Sequence, residues 1–125
     1  MAWACSRRTG DKTRLRFGGT NSTIWRSNYR LREDDSTQNP ITNRIISQLV
    51  GAGTSVGANY VEADDSVSKK EFLKNIGTCR KEARESKHFL RMIVRAVPEL
   101  KPQARTLWLE AKEVHLIFSK IWRNK

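Results

Sequence analysis

Lys87, Arg91 and Arg95 step by four residues, and Lys70, Lys74, Lys81 and Arg84 fall at helical spacing in the same stretch. Residues three and four apart share one face of a helix, so this set lays a line of cations along one side. Such a line tracks phosphate groups, and the seven residues are the candidate nucleic-acid-binding set. The same pattern also serves as a solvated helix face. Glu82 and Glu85 stand among the cations, and a pair such as Lys81–Glu85, four residues apart, is worth only a few tenths of a kcal/mol. Phe89 is the one aromatic interleaved with the stripe, so base stacking has weak support from this stretch.

The remaining reactive side chains suggest no other chemistry. His88 and His115 are the two histidines; neither has a second histidine four residues away or a cysteine pair nearby, so no metal site is expected. Neither has a neighbouring group in sequence that would orient it as a general acid or base. Ser55, Ser66, Ser68 and Ser86 lack a nucleophile-elbow context. G-A-G-T-S-V-G at 51–57 resembles a phosphate loop only in its glycines; it lacks the terminal G-K-[ST] and a preceding strand. Cys79 lies on an apolar helix stripe and reads as a small hydrophobe, Cys5 lies in an unpatterned segment, and this usage fits a reducing compartment. The expectation is a non-enzymatic protein with no catalytic residues, no cofactor and no metal.

Composition sets the wider bounds. The chain has 125 residues, 30% charged and 38% hydrophobic, with a formal charge of +11. That length makes one domain. The charge favours acidic partners, RNA or DNA first and an anionic surface second. No run of eighteen apolar residues exists, so no membrane span is expected, and M-A-W-A-C-S-R-R lacks the order of a signal peptide. Cytoplasmic location follows as the default.

The elements that must carry the cations are helical. In Ser68 to Val97 the apolar residues Phe72, Leu73, Ile76, Cys79, Ala83, Leu90, Ile93, Val94 and Val97 recur at three and four. Ser68 and Glu71 form a capping-box pattern, and Pro98 ends the run. Before it, Asn39-Pro40 opens a run in which Ile41, Ile45, Leu49, Ala52, Val56, Tyr60 and Ala63 form a stripe. Gly51, Gly53 and Gly57 each cost up to about 1 kcal/mol in a helix; the reading that keeps one helix puts Gly53 and Gly57 on one face, where a neighbouring backbone comes close. After Pro98 and Pro102 a last helix carries Leu107, Ala111, Val114, Phe118 and Ile121, flanked by Trp108, Ile117 and Trp122. The pattern predicts an all-α protein with three long helices, about 40–63, 68–97 and 102–123, joined by short turns that make neighbours antiparallel. Gly53, Gly57, Tyr60, Phe72, Ile76 and Leu90 are the expected helix-packing residues.

Residues 1–38 follow no sustained period. Over 1–39, eight lysines and arginines stand against four acidic residues. Two readings fit, a flexible basic arm and a nucleic-acid tail that folds on contact. Ile24, Trp25, Tyr29 and Leu31 form the one apolar strip, and residues 22–33 or another subunit are the two ways to fill the groove that three helices leave open. Two regions are therefore expected, an arm over 1–38 and a helical-bundle domain over 39–125, with wide apolar stripes that favour homo-oligomerisation.

Gly53-Thr54-Ser55-Val56-Gly57-Ala58-Asn59, Glu62-Ala63, Lys69 to Phe72 and Lys81-Glu82-Ala83-Arg84-Glu85 stand in an order and spacing that resembles a bacterial four-helix-bundle family. That family was first noticed as a product of intervening sequences in 23S ribosomal RNA genes and is also called the S23 family. The resemblance runs from about Asn39 to Trp122. It implies an up-down four-helix bundle assembling as a ring-like homopentamer, with a biochemical role largely unassigned and no catalytic residues to carry over. A more distant likeness, to the accessory protein of diversity-generating retroelements, implies nucleic acid or a protein such as a reverse transcriptase as partner. Residues 1–38 do not match the family's amphipathic first helix, so the expected form is a relative of the bundle with a weak or missing first helix. The function expected is a basic, oligomeric helical protein that binds RNA or DNA weakly, linked to ribosomal RNA, with an adaptor role toward a protein partner as the alternative.

Overall fold

The computed structural model describes residues 39–124. The arm, and with it the strip Ile24 to Leu31, lies outside the described residues. Within them the chain forms three long helices, α1 (Pro40–Asp64), α2 (Lys69–Ala96) and α3 (Lys101–Arg123), with a single 3-10 turn at Pro98–Leu100. Each boundary falls within about one residue of the sequence expectation.

Local chemistry sets these ends. Asn39 caps α1, its Oδ1 accepting from the Ile41 N–H at 2.9 Å, and Pro40 occupies the first turn. A competent cap of this kind is worth about 1 kcal/mol. Ser68 caps α2, its Oγ accepting from the Glu71 N–H at 3.1 Å, while Glu71 Oε2 accepts from the Val67 N–H at 3.2 Å. The Ser68 half is that of the capping box the sequence shows, while Glu71 reaches one residue further back, to the residue before the cap. Between α1 and α2 the chain turns at Asp65, whose N–H donates to the Val61 carbonyl at 3.1 Å. Ser66 is buried there, its hydroxyl donating to the Glu62 carbonyl at 3.0 Å and accepting from Asn75 Nδ2 at 3.5 Å.

α2 is the middle helix, and α1 and α3 each pack along it. Two clusters form the core. At one end Ile45, Ile46 and Leu49 of α1 meet Leu90 and Ile93 of α2 and Leu100, Ala104 and Leu107 at the start of α3. At the other, Val56 and Ala63 meet Ile76, Cys79 and Ala83 of α2 and Val114 and Phe118 of α3. The first half of α1 thus lies beside the second half of α2 and the first half of α3, the up-down-up course that short turns dictate. Each fully buried isoleucine, leucine or phenylalanine contributes about 1.5–3 kcal/mol, which makes these clusters the main stabilising term.

The packing residues take their places unevenly. Ile76 and Leu90 are fully buried and Gly53 is buried, whereas Gly57, Tyr60 and Phe72 are half-buried. Tyr60 meets Phe118 with ring centroids 6.1 Å apart and tilted. α1 stays helical through Gly51, Gly53 and Gly57, because its neighbour packs closely: the Cys79 thiol donates to the Val56 carbonyl at 3.4 Å. Burial pushes that thiol up to about 12, so it behaves as the small hydrophobe the sequence suggests. One stripe position is corrected. Ile41 is 70% exposed and Thr42 only 3%, because the inward face of α1 is centred on Ile46, Leu49, Ala52 and Val56, and four residues before Ile46 is Thr42, not Ile41.

Candidate nucleic-acid interface

The candidate cations separate into groups once the helices are placed. Lys70 and Lys74 are exposed in the first turns of α2, and Arg95 is exposed in its last turn. Lys81 faces Glu85 at 3.9 Å, a long and exposed pair of little energetic value. Arg84, Lys87 and Arg91 instead face α3, and there they meet side chains that the α2 stretch alone does not reveal.

Two stripes confront each other along this seam. On α2, Gly77, Arg80, Arg84, Lys87 and Arg91 recur at three and four; on α3, Trp108, Lys112, His115, Ser119 and Trp122 do the same. The helices run antiparallel, so the ends pair crosswise. Arg80 lies over the Trp122 indole, 5.1 Å from its centroid. Lys87 Nζ donates to His115 Nδ1 at 3.1 Å. Trp108 collects three cations, Arg91 at 5.3 Å, Lys112 at 5.7 Å and Lys87 at 5.9 Å. Each such contact is worth about 0.5–1 kcal/mol where exposed and more where water is excluded. Gly77 makes room for this arrangement: a Cβ there would sit 3.2 Å from Trp122 Nε1.

The expectation that Phe89 alone punctuates the basic stripe is therefore corrected. Phe89 is half-buried against the core and meets His88 edge-on at 5.5 Å. The aromatics of the seam are Trp108 and Trp122 of α3. Their signal stands in the sequence, as the spacing Trp108, Lys112, His115, Trp122 beside the apolar stripe. It becomes legible only when that flank of α3 is set against α2.

Like charges crowd the seam. Burial lowers the Lys87 ammonium below its ordinary value, and Arg91, Arg84 and Lys112 lower it further. His115 is lowered by burial and then by Lys87, Arg80 and Arg84, so the imidazole is neutral at pH 7 and its Nδ1 lone pair accepts from Lys87. Among the described residues, the charges that shift Lys87 and His115 are all cationic. Glu110 and Glu82 are each raised, by burial first and then by a neighbouring carboxylate, Glu113 or Glu85. Among the described residues no group of three histidine, cysteine, aspartate or glutamate side chains could hold a metal ion, and no helix is long and apolar enough to cross a membrane.

The arrangement of the helices has a solved counterpart. The fold is that of an S23 ribosomal-protein-family member. That protein, of unknown function and from Bacteroides thetaiotaomicron VPI-5482, matches with a TM-score of 0.65 at 20% identity, over 86% of this chain and 93% of its own. The likeness is one of fold, and it agrees with the resemblance carried by Gly53 to Asn59 and Lys81 to Glu85. No family model matches the chain, and no curated protein matches it.

Proposed function

We propose that this chain is a non-enzymatic, oligomeric helical-bundle protein whose α2–α3 seam binds the phosphates of RNA or DNA. One observation carries the reading: among the described residues, the charges that shift Lys87 are all cations, Arg91, Arg84 and Lys112. Like charges held this close cost free energy in the empty protein. A phosphate oxygen lying among them removes that cost and gains charge-assisted hydrogen bonds. The net charge of +11 adds long-range attraction for a polyanion. Exposed Ile41, Val61, Val67 and Leu116 favour association between copies, in keeping with the pentamer that the family resemblance implies, and ribosomal RNA in the cytoplasm is the partner that the same resemblance suggests.

The test is binding of a labelled single-stranded RNA by fluorescence anisotropy at low salt. Lys87→Glu with Arg91→Glu should weaken binding at least tenfold while the helical circular dichroism stays unchanged. Undiminished binding by the double variant would remove the seam from the interface. RNA binding that persists at high salt would show that apolar contacts, and not phosphate neutralisation, carry it.

A further inference from the structure

Beside Trp108, between the second half of α2 and the first half of α3, the surface opens into a groove of about 340 Å³. Its floor and wall are apolar, with Leu90, Val94 and Leu109, and Leu109 is 52% exposed. Its polar side chains are Arg91, Lys101, Arg105 and the indole of Trp108. All four are donors only, since guanidinium, ammonium and indole offer no acceptor. The Trp108 Nε1 is buried without a hydrogen-bond partner among the described residues. An occupant must therefore be flat or apolar in body, rich in acceptors at its edge, and joined to negative charge.

The groove is continuous with the seam. Arg91 lines it and also lies over Trp108, beside Lys87 and Lys112. From Arg91 the cations Lys87, Arg84 and Arg80 follow along α2 every three or four residues, about 4.5–6 Å of helix rise each. The pattern ends at a second cation-capped indole, Trp122. Cations tracking a backbone, interrupted by aromatic platforms, are the means by which proteins hold single strands. An apolar amphipathic helix would suit the floor equally well. It would not need the line of cations that leads away from the groove. The volume lies at the lower end of the roughly 300–1,000 Å³ of small-ligand pockets, suited to one heterocycle and not to a row of side chains.

We propose that the groove beside Trp108 takes an unstacked base of a single-stranded nucleic acid, while Arg91, Lys101, Arg105 and the seam hold the flanking phosphates. The inference rests on the phosphate-binding reading above and goes beyond it. The seam alone accepts any polyanion, whereas a base in the groove makes the protein select single strands over duplex. Selection is by stacking and apolar contact, so it is tolerant of sequence.

The experiment compares a labelled oligo-dT with an abasic phosphodiester oligomer of the same length, each titrated with the full chain at low salt. The abasic strand should bind about tenfold or more weaker, the order that one stacked base contributes. Trp108→Leu should weaken oligo-dT more than the abasic strand and so narrow the difference between them at least about threefold, while Trp108→Phe restores most of the difference. Leu109→Gln, at an exposed position that leaves the charge untouched, provides the same comparison should Trp108→Leu fail to fold, and should lessen the difference. Equal binding of the two strands by the unaltered protein would overturn the base site while leaving the phosphate seam standing. Failure of both strands to bind would overturn the seam and the base site together.

Discussion

His115 shows how a single side chain takes its properties from a helix other than its own. In sequence it is a lone histidine between Val114 and Leu116, with nothing nearby to orient it. In the fold it faces Lys87, Arg80 and Arg84, and burial together with those charges lowers its pKa from 6.5. A base whose folded value is depressed binds its proton more readily in the unfolded chain. The stability it permits is present in full above about pH 6.5, and is lost as the pH falls from there toward the folded value. Glu82 and Glu110 act with the opposite sign, because their raised values make the folded chain the better proton acceptor above 4.5. Urea denaturation between pH 7 and pH 5 should therefore show a loss of stability in the unaltered chain that is smaller in His115→Gln, and the difference between the two isolates the imidazole. Identical pH profiles would show that His115 gains a counter-charge on protonation. None of this was legible from the residue's neighbours in sequence, since the groups that set its protonation lie some thirty positions away.

At the scale of the element, what was legible and what was not divide along a physical line. The three helices and their ends follow from short-range chemistry: the Asn39-Pro40 start, the Ser68–Glu71 box, the break at Pro98, and apolar residues at three and four. Each acts within one or two turns, so a linear reading finds it. The facing of one helix on another is not local. The cations of α2 looked like a stripe with no aromatic platform but Phe89, because Trp108 and Trp122 belong to α3. Ile41 looked inward because a stripe one position out of phase has nearly the same spacing. The glycines show the same division. Gly51 has nothing within 4 Å of where a Cβ would stand, whereas at Gly77 that Cβ would press on Trp122 at 3.2 and 3.6 Å. Alanine in place of a helical glycine gains roughly 0.5–1 kcal/mol through backbone entropy alone. Gly51→Ala should realise that gain in urea denaturation. Gly77→Ala should gain less or lose stability, because the indole must shift by a few tenths of an ångström beneath Arg80. Equal gains at the two positions would mean that Trp122 yields freely, and that the approach of α2 to the end of α3 is not set by Gly77.

For the whole molecule the decisive quantity is how the charge is distributed. A net +11 spread evenly would attract any polyanion through its ionic atmosphere, and no single substitution would matter greatly. Lys87, Arg91 and Lys112 gathered around one indole, with Arg84 acting on Lys87 beside them, should instead release a defined number of counterions. On a single strand each phosphate neutralised contributes about −0.7 to the slope of log affinity against log salt, so four contacts give about −3. The absolute slope also carries the arm, because residues 1–39 hold eight further lysines and arginines. The change between variants is therefore the informative measure. Lys87→Glu with Arg91→Glu should make the slope shallower by at least about 1.4, the share of two contacts. Charge reversal of Lys70 and Lys74, two lysines on the same helix but away from the seam, alters net charge by the same amount and should change the slope little. If the two double variants shift it equally, binding follows total charge and the seam has no special standing. If only the seam variant shifts it, the partnership of α2 with α3 builds the interface.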